Sequence, residues 1–204
     1  MKMLLLAVFF ITVSLPARSA DPQPYHVGEQ VTGFTVLNMK GHTVDYRSLK
    51  GKVTVVMFFS TRCPLSNAFN FRRNTLYREY KGRVQFIVVD SNGNESLAEV
   101  RQYAKDVGFA FPVYVDEKNA VSDRFGVIAT TDNFLVDASG VMRYHGYIED
   151  APNPARTTKQ GLKRAIDEVL AGKPVTLPET KARGCAVRRA RLQAVSTSGR
   201  SVQP

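Results

Sequence analysis

VTVVMFFSTRCPLSNAF, Val53 to Phe69, decides the fold. Its first half, Val53 to Phe59, is an apolar, β-branched run. Such a run is the signature of a strand buried on both faces, as in the centre of a parallel sheet. Pro64 follows, and proline suits the first turn of a helix because that turn needs no N–H from it. The stretch therefore predicts a central strand running straight into a helix. Cys63 falls at the junction, at the carboxyl edge of the sheet, where α/β folds keep their sites.

The neighbours extend the pattern in both directions. Upstream, VTGFTVLN and the segment after Lys40-Gly41 predict a short N-terminal β-hairpin. Downstream, Leu65, Phe69, Arg72, Leu76 and Tyr80 recur at helical spacing, up to Gly82. Val84 to Asp90 is a second buried strand. After a loop, with Asn94 or Ser96 as cap, LAEVRQYAKDVG predicts a helix closed by Gly108. FPVYVD predicts a strand and EKNAVSDRFG a short helix. NFLVDASGVMRYHGYIED predicts a hairpin around Asp137-Ala138-Ser139-Gly140. ARTTKQGLKRAIDEVLAG predicts an amphipathic helix stopped by Gly172 and Pro174. The order is β-β-β-α-β-α-β-α-β-β-α. Right-handed crossovers then place helices on both faces of one mixed sheet.

Composition bounds the rest. The 204 residues suffice for one domain with a proper core, and 44% apolar with 23% charged residues is ordinary for a globular chain. Lys2, the apolar run LLLAVFFITVSLP and the small residues around Ala17-Arg18-Ser19 have the form of a signal peptide. Cleavage is expected near Ser19-Ala20, with export to a bacterial periplasm and an uncleaved anchor as the alternative. The expected organisation is a signal peptide over 1–19, a linker over 20–27, the domain over 28–172 and a basic, largely flexible tail over 173–204. From Lys181 onward the tail holds six Lys or Arg and no Asp or Glu, out of a net charge of +10. It reads as a solvated segment, with a weak membrane-surface contact as the alternative. Nucleic acid does not fit an exported chain.

Export lets disulfides persist. The chain has two cysteines, Cys63 and Cys185. The first has the form of a Cys-Pro-x-Cys redox site whose second sulfur is replaced by Ser66. Helix-start N–H groups and the neighbouring Arg62 favour a thiolate there, lowering the thiol from its free value of about 8.5.

FFSTRCPLS followed by a helix, together with FGVIATTDNFLVDASGVMRYHGYI, resembles the thioredoxin-like superfamily. Within it the chain is similar to exported redoxins related to alkyl hydroperoxide reductase and thiol-specific antioxidant proteins. The resemblance spans about residues 28 to 185. It implies a thioredoxin-like fold: a three-layer α/β/α sandwich with a central mixed sheet and an N-terminal β-hairpin. The ending LAGKPVTLPETKARGCAVRR also resembles the end of some bacterial redoxin modules. Ser66 stands where thioredoxins have their second cysteine, Met57 where they bury an acid, and Thr131 where they carry a cis-proline. Ser60 matches the hydroxyl that peroxiredoxins place three residues before their cysteine. Val56 stands where those enzymes have a proline. Arg62, Arg124 and Arg143 are candidates for their arginine.

The resemblance implies an oxidoreductase in which Cys63 is the nucleophile and Ser60, Thr61 and Ser66 hydrogen-bond its thiolate. Peroxide or a protein thiol or disulfide is the substrate. Attack on peroxide leaves a sulfenic acid, and attack on a disulfide leaves a mixed disulfide. Either needs a resolving thiol: Cys185 or an external reductant. A flexible segment of about 13 residues spans roughly 20 Å, so the tail can reach; whether the pair forms stays open. Asp90 and Asp116 end strands at the same edge, as helix caps or proton acceptors. His26, His42 and His145 gather no second cysteine, so no metal is expected. With neither a dinucleotide fingerprint nor a phosphate loop, no organic cofactor is expected. The alternative is a degenerate thioredoxin-fold module that binds an envelope component or partner protein.

Overall fold

The computed structural model describes residues 23–46 and 51–190. The expected signal peptide and the end of the basic tail lie outside these residues. Seven strands form one sheet: β1 (Thr35–Asn38), β2 (Thr43–Asp45), β3 (Val53–Phe59), β4 (Val84–Asp90), β5 (Val113–Val115), β6 (Asn133–Val136) and β7 (Met142–Gly146). Their order across the sheet is β2-β1-β5-β4-β3-β6-β7. β3 pairs with β4 and β4 with β5 in parallel; the other pairings are antiparallel. The helices are α1 (Pro64–Asn67), α2 (Asn70–Tyr80), α3 (Leu97–Asp106), α4 (Ala120–Arg124) and α5 (Gly161–Leu170).

β3 lies between β4 and β6, so it has no open edge, and its period-two alternation serves two cores. Val55, Met57 and Phe59 face Leu76 and Tyr80 of α2, Val100 of α3 and Leu162 and Ile166 of α5. Val56 and Phe58 face Val121 and Phe125 at α4, with Phe34, Tyr46 and Phe134. Each such side chain, taken fully out of water, contributes about 1.5–3 kcal/mol. The mixed three-layer α/β/α sandwich and its N-terminal hairpin follow.

The structure departs from the sequence expectation in four places. The helix expected from Pro64 to Gly82 is two helices. Phe69 N–H bonds the Ser66 carbonyl at 3.0 Å, three residues back, which tightens the turn, and the Arg73 guanidinium takes the same carbonyl at 2.8 Å. That oxygen would otherwise accept from residue 70 in a continuing helix. Leu65 consequently turns outward, 41% exposed, while Phe69 is buried. The last helix begins at Gly161 instead of Ala155, because Asp150 binds the N–H groups of Thr158 and Lys159 and holds that stretch extended. Residues 23–27, expected as linker, dock: Tyr25 is buried edge-on against Phe125, with Arg124 over its ring. Residues 173–190, expected in a flexible tail, run as a strap across the carboxyl edge of the sheet.

Candidate active site

The loop between β3 and α1 is shaped by one carboxylate. Glu95, buried in the loop after β4, accepts from the Ser60 hydroxyl at 2.5 Å and from the Thr61 N–H and hydroxyl at 2.6 and 2.5 Å. Ser60 Oγ in turn accepts the N–H groups of Arg62 and Cys63, both at 3.1 Å. This chain of bonds fixes Cys63 as the residue that caps α1, with extended backbone and Pro64 next in the helix. Beneath it, Arg73 is fully buried. Its guanidinium donates to the Ser66 carbonyl, the Ser66 hydroxyl, Asn70 and the Phe58 carbonyl. Burial lowers it to about 10, still charged near neutrality.

Cys63 is bonded to Cys185, with their Cα atoms 6.0 Å apart, well within disulfide reach. Two main-chain amides point at the Cys63 sulfur: Ser66 N–H at 3.5 Å and Cys185 N–H at 3.4 Å. Cys63 is only 2% exposed, whereas Cys185 is exposed.

The strap that delivers Cys185 is held along its length. It starts beside β7, where His145 N–H bonds the Pro178 carbonyl and Thr180 N–H bonds the His145 carbonyl. The Thr180 hydroxyl takes the Tyr147 N–H. Thr131 donates to the Arg183 carbonyl at 2.9 Å, and Thr130 N–H to the Cys185 carbonyl at 2.9 Å. Farther on, Asn92 accepts from Arg188 N–H and Gly93 N–H donates to the Arg188 carbonyl. Asn119 accepts from Ala190 N–H at 2.7 Å, and Arg189 pairs with Asp123 at 2.5 Å. Two glycines permit the approach. A Cβ on Gly184 would lie 2.9 Å from Thr131 Oγ1, and one on Gly93 would lie 2.5 Å from the Ala190 backbone. A groove of about 590 Å³ flanks the strap, lined by Leu65, Phe69, Thr131, Ile148, Lys181 and Arg183 among others.

The six residues singled out in the sequence do meet here: Cys63 and Cys185 are bonded to each other, while the three hydroxyls and Arg62 make other contacts than those expected. The hydroxyls of Ser60 and Thr61 go to Glu95, and the Ser66 hydroxyl accepts from Ser60 N–H and Arg73. It is the Ser66 amide that reaches the sulfur. Arg62 points away, pairing with Glu99 at 2.5 Å; the Ser96 amide and hydroxyl, then Arg62, hold Glu99 down at about 2. Arg124 bonds Tyr25 and Thr32, and Arg143 bonds Asp137. Asp116 caps α4 through the amides of Val121 and Ser122. Asp90 is fully buried; burial, then a hydrogen bond to the adjacent Glu95 carboxylate, push it up to about 8. His145 stacks on Phe134 and contacts Asp132 at 3.4 Å. Sequence reasoning missed Glu95 and Arg73. A carboxylate just past a buried strand, at the edge that carries Cys63, was the available sign for Glu95; nothing marked Arg73.

A cysteine at the end of the central strand, capping the following helix in a mixed α/β/α sandwich, defines a redoxin of the thioredoxin-like superfamily. The family model described as AhpC/TSA matches residues 27–145, and the chain belongs to that family. Thiol-disulfide oxidoreductase ResA of Halalkalibacterium halodurans is 28% identical over 150 residues, covering 71% of this chain and 84% of that protein. The protein of the same name from Bacillus subtilis is 29% identical over 115 residues, covering 55% and 63%. Among solved structures, an uncharacterized conserved protein from Geobacillus kaustophilus superposes with a TM-score of 0.74 at 25% identity, over 80% of this chain and 92% of that one. A hypothetical protein from Sinorhizobium meliloti gives 0.74 at 24% identity, over 84% and 98%.

Proposed function

We propose that the chain is an exported thiol-disulfide oxidoreductase that exchanges disulfides with protein thiols through Cys63 and Cys185. The observation that carries this reading is the bond between a helix-capping cysteine at the sheet edge and a second cysteine on a surface strap. The relatives named thiol-disulfide oxidoreductase support the same chemistry. The pair supplies the second sulfur that the Cys-Pro-x-Ser sequence lacks. This weakens the ground for a degenerate binding module. Peroxide reduction draws less support, because Arg62, Arg124 and Arg143 all bond elsewhere. In this reading residues 1–19 direct export and are removed near Ser19-Ala20. No helix among the described residues is long and apolar enough to cross a membrane.

The test is thiol transfer between the reduced chain and a disulfide-bonded protein substrate, followed by alkylation and mass spectrometry. The wild type should gain its internal disulfide as the substrate gains thiols, and both Cys63→Ser and Cys185→Ser should abolish turnover. Turnover at the wild-type rate in Cys63→Ser would refute the assignment.

A further inference from the structure

The two cysteines of the disulfide are not equally exposed. Cys63 lies 2% exposed in the β3–α1 corner, whereas Cys185 is exposed on the strap. A thiolate must approach the sulfur it attacks, and access selects between the two ends of a disulfide. The end that departs carries the negative charge. Here the buried sulfur already faces two N–H donors, from Ser66 and Cys185. Hydrogen bonds to the charged form favour it, so Cys63 is the better leaving group.

We infer that Cys185, not Cys63, is the sulfur that exchanges with the partner, and that Cys63 is the internal thiolate that leaves and later returns. This rests on the thiol-disulfide reading above. In the oxidising direction a partner thiolate attacks Cys185 Sγ. A bond forms between the partner sulfur and Cys185, the Cys63–Cys185 bond breaks, and Cys63 keeps the electron pair as thiolate. The partner's second thiolate then attacks its own sulfur in the mixed disulfide and expels Cys185 as thiolate. The partner dithiol loses two electrons and the chain gains them. In the reducing direction Cys185 thiolate opens the partner disulfide and Cys63 thiolate resolves the mixed disulfide. The partner is a dithiol or disulfide protein.

Two features of the strap serve this order. The bonds from Thr131 to Arg183, from Thr130 to Cys185 and from Asn92 to Arg188 do not pass through sulfur, so Cys185 stays close to Cys63 once the disulfide opens. Lys181, Arg183 and Arg188 flank Cys185 on the strap and are exposed, so an incoming thiolate approaches a segment rich in positive charge.

The experiment uses the oxidised full chain and reduced glutathione as the probe, in limiting amount. The mixture is quenched in acid, free thiols are alkylated, and the glutathione adduct is located by peptide mapping. The adduct is expected on Cys185 with Cys63 alkylated, in more than about tenfold excess over the reverse pattern. In parallel, Cys63→Ser and Cys185→Ser are treated with glutathione disulfide, and Cys63→Ser should form its adduct more than about tenfold faster. An adduct mainly on Cys63, or a faster reaction of Cys185→Ser, overturns the inference and leaves the proposed function standing. A wild-type disulfide that exchanges at neither sulfur overturns both. The wild-type mapping decides the question even if one variant fails to fold.

Discussion

Ser60 occupies a position where one hydroxyl sets the geometry of the reactive corner. It donates to Glu95 while accepting the amides of Arg62 and Cys63. Ser60→Ala strips a partner from a buried carboxylate and from two backbone donors. The expected loss is about 1–3 kcal/mol, read as a lower denaturant midpoint with unchanged slope. Asp90 gives a second residue-scale prediction, and its sign is the reverse of the usual carboxylate case. In the unfolded chain it titrates near 3.9, but burial first and Glu95 second push it up to about 8 in the folded chain. Between those values the folded state holds a proton that the unfolded state has released, so stability falls as pH rises across the window. Asp90→Asn keeps a neutral side chain and should flatten that slope and raise stability near pH 8. Urea midpoints from pH 5 to 9 check it, and an unchanged slope would assign the titration elsewhere. Cys63 could be found from sequence because its signals are local: an apolar strand, then Cys-Pro. The hydroxyl roles could not, since the partner that claims Ser60 lies 35 residues away. Arg73 was equally hidden, because a charged residue within a helix reads as surface until the fold shows what covers it.

Among the elements, the strap differs most from what its sequence suggests. It has almost no apolar periodicity, and its attachment is made mostly through its own main chain, to β7, the turns before β6 and after β4, and the start of α4. Such bonds leave no pattern in composition, which explains why a basic, Pro-rich and Ser-rich ending reads as flexible. The strands read correctly for the opposite reason: burial on both faces imposes an apolar run on β3 and β4. The broken helix at Ala68–Phe69 was invisible because the side chain that intercepts the Ser66 carbonyl is Arg73, whose burial depends on the sheet beneath. The strap's close contacts give the element-scale prediction. In Gly184→Ala the new methyl would crowd the Thr131 side chain and the Thr130 amide. The strap must shift, and Cys185 with it, while the helices and sheet stay in place. In a glutathione buffer that leaves the wild type mostly oxidised, Gly184→Ala should show a larger share of free thiols with unchanged far-ultraviolet circular dichroism. An unaltered thiol count would mean that the strap has slack to spare at this point.

At the scale of the whole molecule, the disulfide joins the central strand's end to a segment 122 residues later, so it encloses most of the fold. Closing so long a loop in the unfolded chain costs entropy, and the cross-link removes that cost from folding; the chain-entropy treatment gives roughly 5 kcal/mol for this separation. Reduction should therefore lower unfolding stability by an amount approaching about 5 kcal/mol, less whatever residual order the unfolded oxidised chain retains. The same quantity governs the chemistry. Oxidation and folding form a thermodynamic cycle, so any stability the disulfide adds to the fold equals the extra tendency of the folded chain to form that disulfide. A chain so stabilised in its oxidised form holds its disulfide firmly, and it acts as an oxidant only toward partners whose own disulfides are more stable still. Denaturant titrations of the oxidised and reduced chain give one side of the cycle. Glutathione equilibria measured under native conditions and in strong denaturant give the other. The two sides should agree within experimental error, with the native equilibrium shifted toward the disulfide by a factor of about 10³ or more, since every 1.4 kcal/mol is tenfold. A native equilibrium no more oxidised than the denatured one would show that the strap does not hold Cys185 near Cys63 in the reduced chain. The exchange cycle would then have to begin from an open state.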